Sequence, residues 1–443
     1  MSDAKQGKKA DITRRDFLRG ATAAGAGLMF AKGATAVGGT SGGEDLNIAL
    51  VGCGSQGRIL LMDCLKIDGI RFKAICDIWE YHKKYAANIL KAYKQDANVY
   101  TDYREMLANE KDLDAVIIAV PDWKHAEITI ASLKAGLDVY CEKEMSNDLE
   151  EAKEMVKVSQ ETGNLLQIGH QRRSNPRYLH AEHMIYEEEL LGRITHTRGQ
   201  WHRAKRQPRG WPKKYVMSDE KLKKYGYESM EKFRNWRWYK KFSGGPICDL
   251  GSHQIDIFNW WLRAAPSAVT AMGGTNYYPD WNWWDSVIAV YEYDTPKGKA
   301  IGQYDVLNTT SFGGFYEVFM GDMGTMKISE DAKIGQVYRE AHAQKTEWED
   351  QADKVESMGK KAIELKVGET RKTEGGQVER VEHNVDKPVH TYHLENFFGA
   401  IRGENELTCP GEIGYETAVT VLKTNEAVRS GKKVTYKPEE FKV

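Results

Sequence analysis

Asn47-Ile48-Ala49-Leu50-Val51-Gly52-Cys53-Gly54-Ser55-Gln56-Gly57 is a short apolar run ending in Gly-x-Gly-x-x-Gly. The apolar run reads as a buried strand. A helical pattern, Ile59–Ile67, follows the last glycine. Each glycine has its own task in such a strand–turn–helix. The first makes the tight turn, the second lets backbone approach a diphosphate, and the third lets helix and strand pack closely. The unpaired N–H groups at the helix start then face that negative charge. The stretch predicts a dinucleotide site built from Gly52, Gly54, Ser55, Gln56 and Gly57.

The same alternation continues outward. Strands are expected at Arg71–Cys76, Ala115–Val120, Asp138–Cys141 and Leu165–Ile168. Helices are expected between them at Trp79–Lys94, Tyr103–Ala108, His125–Ala135 and Leu149–Thr162. Repeated βαβ units give a doubly wound parallel sheet with helices on both faces, a Rossmann domain over residues 45–172. Asp77 ends the second strand, 20 residues after Gly57. A carboxylate there accepts from the adenosine ribose hydroxyls and repels a 2′-phosphate, and Ile78 and Trp79 follow it in place of an arginine. NAD is therefore the expected cofactor, rather than NADP. Asp77 also suits a helix cap, which is compatible with either.

After about residue 172 the pattern changes. A helix at Tyr178–Glu189 and a strand at Thr195–His202 precede a polar, aromatic segment, Arg203 to Phe242. A helix at Gly251–Leu262 leads to strands near Ser267–Gly273, Ser286–Tyr293, Lys299–Val306, Phe315–Gly321 and Thr325–Ser329. Two helices, Tyr392–Arg402 and Gly414–Ser430, close the chain. The expected fold class is α/β: the Rossmann domain plus an α+β substrate and oligomerisation domain, residues 173–443, with a largely antiparallel open sheet. Residues 331–388 are charged and weakly patterned, and read as an insertion.

The chain has 443 residues, which suits two domains plus a leader. Residues 1–36 have the layout of a twin-arginine export signal: Thr13-Arg14-Arg15-Asp16-Phe17-Leu18-Arg19, a weakly apolar run Gly20–Ala31, and a small-x-small site at Ala34-Thr35-Ala36. A periplasmic or otherwise exported protein is expected. Removing the leader takes seven of the 63 basic and three of the 64 acidic residues and leaves a net charge of −5. A nucleic-acid binder needs the opposite footprint. The six cysteines form no Cys-x-x-Cys pair, and no His/Cys/carboxylate cluster has ligand spacing, so neither a disulfide framework nor a metal site is expected.

Two further segments fall at strand ends, where ligands bind in open α/β sheets. One is Glu142-Lys143-Glu144. The other, Gly244-Gly245-Pro246-Ile247-Cys248-Asp249-Leu250-Gly251-Ser252-His253, sets Asp249 and His253 four apart, on one face if a helix begins there. Asp249 also reads as a helix cap, and His253 as a core histidine. With Pro121-x-x-x-His125 after the fourth strand, these marks make the chain resemble the glucose–fructose oxidoreductase / inositol dehydrogenase / MocA family over about residues 46–320 and the closing helices. The resemblance implies oxidation or reduction of a sugar or polyol hydroxyl. It implies cofactor contacts from Pro121, His125, Glu142 and Lys143, and places Lys143, Asp249 and His253 at the nicotinamide and substrate. It also implies a homo-oligomer, dimer or tetramer, through the open sheet.

Those residue types fit alcohol oxidation, which needs a base and a donor to the developing alkoxide. His253, with an ordinary pKa near 6.5, is the expected base. Lys143 is the donor, and Asp249 either binds substrate or orients His253. The family usually has proline after the Glu-Lys pair, and here Glu144 stands instead. It is expected to face solvent; the other reading pairs it with Lys143 or makes it an acid/base.

Nine of the 12 tryptophans lie between Trp201 and Trp284, among His202, Arg203, Arg206, Arg209, Arg234 and Arg237. Aromatic faces with hydrogen-bond donors suit a sugar, and Trp201, His202, Arg173 and Tyr178 are the candidate substrate contacts. Core packing is the competing use of these tryptophans. An exported enzyme meets little free NAD, which favours a tightly held cofactor. Three functions remain open: a sugar or polyol oxidoreductase; a glycoside hydrolase or lyase working by transient oxidation and elimination, with Glu144, His202 or Tyr178 as an added acid/base; and a non-catalytic carbohydrate-binding protein.

Overall fold

The computed structural model describes residues 45–346, 349, 352–357, 359–372, 378–382 and 385–443, and the side chains of all of these except 369–372 and 378–382. The expected leader, residues 1–36, lies outside the described residues.

The first domain runs β1 (Leu46–Val51), α1 (Ser55–Cys64), β2 (Ile70–Cys76), α2 (Glu80–Ala92), β3 (Asn98–Tyr100), α3 (Tyr103–Asn109), β4 (Ala115–Ile118), α4 (His125–Lys134), β5 (Asp138–Cys141), α5 (Leu149–Thr162) and β6 (Leu166–Ile168). Its six strands are all parallel, in the order β3-β2-β1-β4-β5-β6. The order reverses between β1 and β4, and the crevice at that switch point is where such sheets bind ligands. β1, β4 and β5 are buried almost throughout, as strands covered on both faces must be. β3 is not foreseen from the sequence. It is a three-residue edge strand with no apolar run to mark it. Side chains set the helix ends: Asp148 accepts from the amides of Glu150 and Glu151 at the start of α5, and Gly163 closes it in the left-handed conformation.

The second domain begins with α6 (Pro176–Tyr186) and β7 (Ile194–His202). Two short helices follow, α7 (Asp219–Lys224) and α8 (Met230–Arg234), then α9 (Ser252–Leu262) and strands β8 (Pro266–Gly274), β9 (Ser286–Thr295), β10 (Gly298–Leu307), β11 (Phe315–Gly321) and β12 (Gly324–Ile328). The region expected as an insertion is partly core architecture. Strands β13 (Gly335–Arg339), β14 (Lys354–Ser357) and β15 (Lys360–Glu364) extend the large sheet, and Val337 and Ile363 join its core. β16 (Gly368–Lys372) and β17 (Val378–Glu382) form a separate two-stranded ribbon. The chain ends with α10 (Val389–Ile401), α11 (Gly411–Ser430) and β18 (Val434–Thr435). The large sheet has ten strands, antiparallel except where β10 pairs with β7. Its buried face packs under α9 and α11. Its other face carries Met272, Ile288, Val290 and Ile301 exposed.

The segment 203–242 leaves the second domain and packs on the first. Met217, Leu222, Tyr227, Met230, Phe233 and Phe242 bury Trp79, whose indole Nε1 donates to the Tyr215 carbonyl at 2.6 Å. Edge-to-face contacts of Trp123 with Tyr227 and of Trp79 with Phe233 extend this aromatic seam. The crevice of the Rossmann sheet thereby gains an outer wall.

Candidate active site

The glycine turn is as tight as its spacing requires. Gly52 has φ +95°, and a Cβ there would lie 2.3 Å from the Ala119 carbonyl oxygen. A Cβ on Gly57 would lie 1.8 Å from the Gly52 oxygen. Gly57 therefore serves packing and does not line the cleft, whereas Gly52, Gly54, Ser55 and Gln56 do. Beside Gly54 the nearest side-chain atom to an added Cβ is on His82, at 3.7 Å, so the turn stands open toward the cleft. This is a cradle of the form a dinucleotide diphosphate takes at a helix start.

Asp77 accepts from the Cys53 amide (2.8 Å), the Trp79 amide (2.8 Å) and His82 Nδ1 (3.1 Å). A carboxylate offers about four acceptor positions, so one remains for a ribose hydroxyl. Burial would raise its pKa, but His82 together with the Trp79 and Cys53 amides holds the carboxyl below the usual range. The charge that disfavours a 2′-phosphate is thus present. Neither its role as a tether for the glycine turn nor its histidine partner is visible in the motif.

A cleft of about 650 Å³ runs from this point to the second domain. Pro121, Glu142, Lys143, Trp201, Asp249 and His253 all line it, so one cavity joins the dinucleotide cradle to the expected reacting groups. Gln56 Nε2 donates to Glu142 Oε1 and meets His390 Nε2, each at 3.0 Å. His390 comes from the closing region and is unforeseen.

Lys143 Nζ donates to the Asp249 backbone carbonyl at 2.5 Å. Asp249 lies in a π-turn, Ile247–Gly251, ahead of α9, not on the regular helix that four-residue spacing suggested. Its carboxylate accepts from Arg237 Nε at 2.9 Å and pairs with Arg203 at 3.6 Å. It makes no hydrogen bond to His253, whose Nδ1 has no partner, so the reading of Asp249 as orienter of that ring is corrected. Burial works against its ionisation, but Arg237, Lys143 and Arg203 keep it ionised far below the ordinary range. His253 is 8% exposed, with Nδ1 lacking a partner and its ring 5.3 Å from that of Trp201. Burial, then Lys143 and Arg172, push its pKa well below the ordinary value, so the ring is uncharged at neutral pH.

Glu144 requires a correction. It is 1% exposed rather than solvent-facing, and it does not pair with Lys143. Its Oε1 accepts from the Met145 amide at 2.9 Å, and Oε2 has no partner. Burial pushes it up to about 8, so it is neutral under the strand end. The Lys143–Glu144 peptide bond is cis. His125 is also internal: its Nδ1 meets the Glu144 carbonyl at 2.6 Å, and it supports the loop from behind without reaching the cleft. Asp122, not singled out in the sequence, lines the cleft beside Lys143 and Asp249. Burial and the Asp249 charge push it up to about 6.

Of the four candidate substrate contacts, only Trp201 lines the cleft, stacked on Phe315 with centroids 4.6 Å apart. Tyr178 is in the core, donating to Glu317 Oε2 at 2.7 Å. Arg173 is bound to Asp256, Nε to Oδ1 at 2.9 Å. His202 bridges Asp305 (2.5 Å) and the Phe312 carbonyl (2.7 Å). Each has a buried partner distant in sequence, which spacing cannot reveal. Among the tryptophans, Trp238, Trp261, Trp281 and Trp283 are core residues, and Trp201 and Trp236 line the cleft. The six cysteines are buried free thiols.

Comparison with known proteins follows the same division. Residues 46–170 match the model described as the oxidoreductase family's NAD-binding Rossmann fold, and residues 184–436 match its C-terminal alpha/beta domain. A 4-carboxy-2-hydroxymuconate-6-semialdehyde dehydrogenase of Sphingobium is 33% identical over 171 residues, 38% of this chain and 53% of that one. An inositol 2-dehydrogenase of Salmonella typhimurium is 29% identical over 147 residues, 33% of this chain and 43% of that one. The chain thus spans about half the length of the curated relatives it matches. An aldose-aldose oxidoreductase from Caulobacter crescentus, solved with glycerol, superposes with TM-score 0.66 at 17% identity, over 89% of this chain and 100% of that one, and so shares the fold. With both domain models matched in order across most of its length, the chain belongs to the Gfo/Idh/MocA oxidoreductase family, and its first domain is that family's NAD-binding Rossmann fold.

Proposed function

We propose that the protein is an exported NAD-dependent oxidoreductase acting on a secondary hydroxyl of a sugar or polyol, with its cofactor tightly held. The observation that carries this reading is the single cleft shared by Gly52, Gly54, Asp77, Lys143 and His253. The relatives named inositol 2-dehydrogenase and aldose-aldose oxidoreductase support the substrate class. The layout of residues 1–36 supports export. The wall formed by segment 203–242 supports slow cofactor release, since it encloses the cleft beside Asp77 and His82.

When bound, NAD supplies the hydride acceptor. The chain's residues do the rest. Lys143, its ammonium steered by the Asp249 carbonyl, donates to the substrate hydroxyl oxygen and stabilises the charge that develops there. His253, uncharged, takes the hydroxyl proton. Asp249 keeps Arg237 and Arg203 beside the reacting groups. The three side chains considered as an added acid/base for bond cleavage, Glu144, His202 and Tyr178, are all bound elsewhere and outside the cleft.

The test is incubation of the purified protein with free sugars and aryl glycosides, with and without added NAD. NADH formation without bond cleavage is expected. Aglycone release with no net NADH would overturn the oxidoreductase reading in favour of a redox hydrolase or lyase. Binding without either signal would favour a carbohydrate-binding protein. The exposed apolar face of the ten-stranded sheet supports a homo-oligomer, dimer or tetramer.

A further inference from the structure

The substrate end of the cleft carries more positive charge than the protein neutralises. Arg203, Arg206 and Arg237 are half-buried in its wall, Arg209 stands at its rim, and Lys143 lies at its floor. Asp249 is the carboxylate bonded to this group, and it is shared between Arg237 and Arg203. Among the described residues no acidic side chain pairs with Arg206 or Arg209. The other nearby carboxylates are engaged: Glu142 receives Gln56, Glu330 receives Arg172 and Gln171, and Asp122, pushed up to about 6 by burial and the Asp249 charge, receives the Gly244 amide. Burial, with Arg206 and Arg237 nearby, pushes the Arg203 guanidinium down to about 10 even though Asp249 opposes it. Clustered cations in a partly buried wall are unfavourable unless an anion joins them.

The cofactor's diphosphate does not explain this excess. It is served by the glycine turn and the start of α1, whose open N–H groups face the cleft. Arg58 follows Gly57 in α1, and Arg234 lies over Trp79 at 4.7 Å. The arginine group instead borders an aromatic platform. Trp201 is stacked on Phe315, next to His253, and the Arg203 guanidinium lies 5.1 Å from the Trp201 ring centre.

We propose that the substrate is an acidic sugar, one carrying a carboxylate or a sulfate ester, whose ring lies on Trp201 and whose anionic group is held by Arg203, Arg206 and Arg209. This rests on the proposed sugar oxidoreductase and names its substrate class. Planar guanidinium groups suit both anions, because each offers paired oxygens to a fork of N–H donors. A neutral sugar would satisfy the aromatic face and leave the charge uncompensated.

The test is binding to the NAD-loaded protein by calorimetry, with matched probes: glucose against glucuronate and glucose 6-sulfate, galactose against galacturonate, and inorganic sulfate. An acidic member is expected to bind at least about 30-fold tighter than its neutral partner, with that margin shrinking as salt is raised. Arg206→Gln with Arg209→Gln should remove most of the margin and leave NAD affinity within about threefold. The carboxylate and sulfate probes distinguish the two anions. The proposal is overturned if neutral sugars bind as tightly as acidic ones, if neither the acids nor sulfate bind, or if the double variant loses NAD affinity instead. The salt dependence of the unmodified protein tests the proposal even if the variant fails to fold. Acid binding without turnover would keep this inference and overturn the oxidoreductase reading.

Discussion

Lys143 and Glu144 are adjacent in the chain and meet opposite surroundings. Lys143 reaches the cleft, and Glu144 is sealed behind it without a charged partner. Lys143→Ala should reduce turnover by about a thousandfold while NAD still binds, because in the proposed reaction the side chain acts on the developing alkoxide. Steady-state kinetics with an NAD titration checks this, and persisting activity contradicts the assignment. Glu144 tests burial separately. Its carboxyl, ordinarily 4.5, is raised to about 8, so the folded state holds a proton that the unfolded chain has lost. Stability from this group is complete below pH 4.5 and declines as pH rises toward 8. Glu144→Gln should flatten that decline, leaving thermal stability near pH 4.5 little changed and raising it at pH 8; an unchanged pH profile would refute the assignment. Asp77→Asn should weaken the preference for NAD over NADP about tenfold or more in competition binding, since it removes the repelling charge. That Gly52, Gly54, Ser55, Gln56, Lys143 and His253 meet at one cleft was legible from a glycine turn and strand ends in the sequence. Asp249, Tyr178, Arg173 and His202 were not, because their partners Arg237, Glu317, Asp256 and Asp305 are set by folding.

The strands and helices of the first domain follow closely from alternation of apolar runs and helical spacing. The lost element, β3, is short and exposed. The turn after β1 is the least tolerant element. Gly57→Ala drives a methyl group into the Gly52 carbonyl and should lower stability by about 1–3 kcal/mol, with a loss of NAD affinity, both measurable by denaturation and titration. Unchanged values would show that the turn can relax. Segment 203–242 was readable only as aromatic and basic. Its cluster around Trp79 joins residues more than a hundred positions apart, and no local periodicity records that. Segment 331–388 was missed for a related reason: β13, β14 and β15 are short and extend a sheet begun elsewhere in the chain.

At the scale of the molecule, the Rossmann crevice supplies the cofactor cradle and the second domain closes it with Trp201, His253 and the arginine wall. The ten-stranded sheet turns Met272, Ile288, Val290 and Ile301 outward. If the proposed oligomer forms through this face, Ile288→Lys with Met272→Asp should lower the mass seen in sedimentation experiments to that of a monomer; an unchanged mass would contradict an interface on this face. The proposal of an exported protein with a resident cofactor has the most direct consequence. The protein, purified and dialysed with no NAD added, should show the absorbance of about one NADH per chain when mixed with its sugar substrate. A signal that appears only after NAD is added would contradict the resident cofactor, and no signal under either condition would contradict hydride transfer itself.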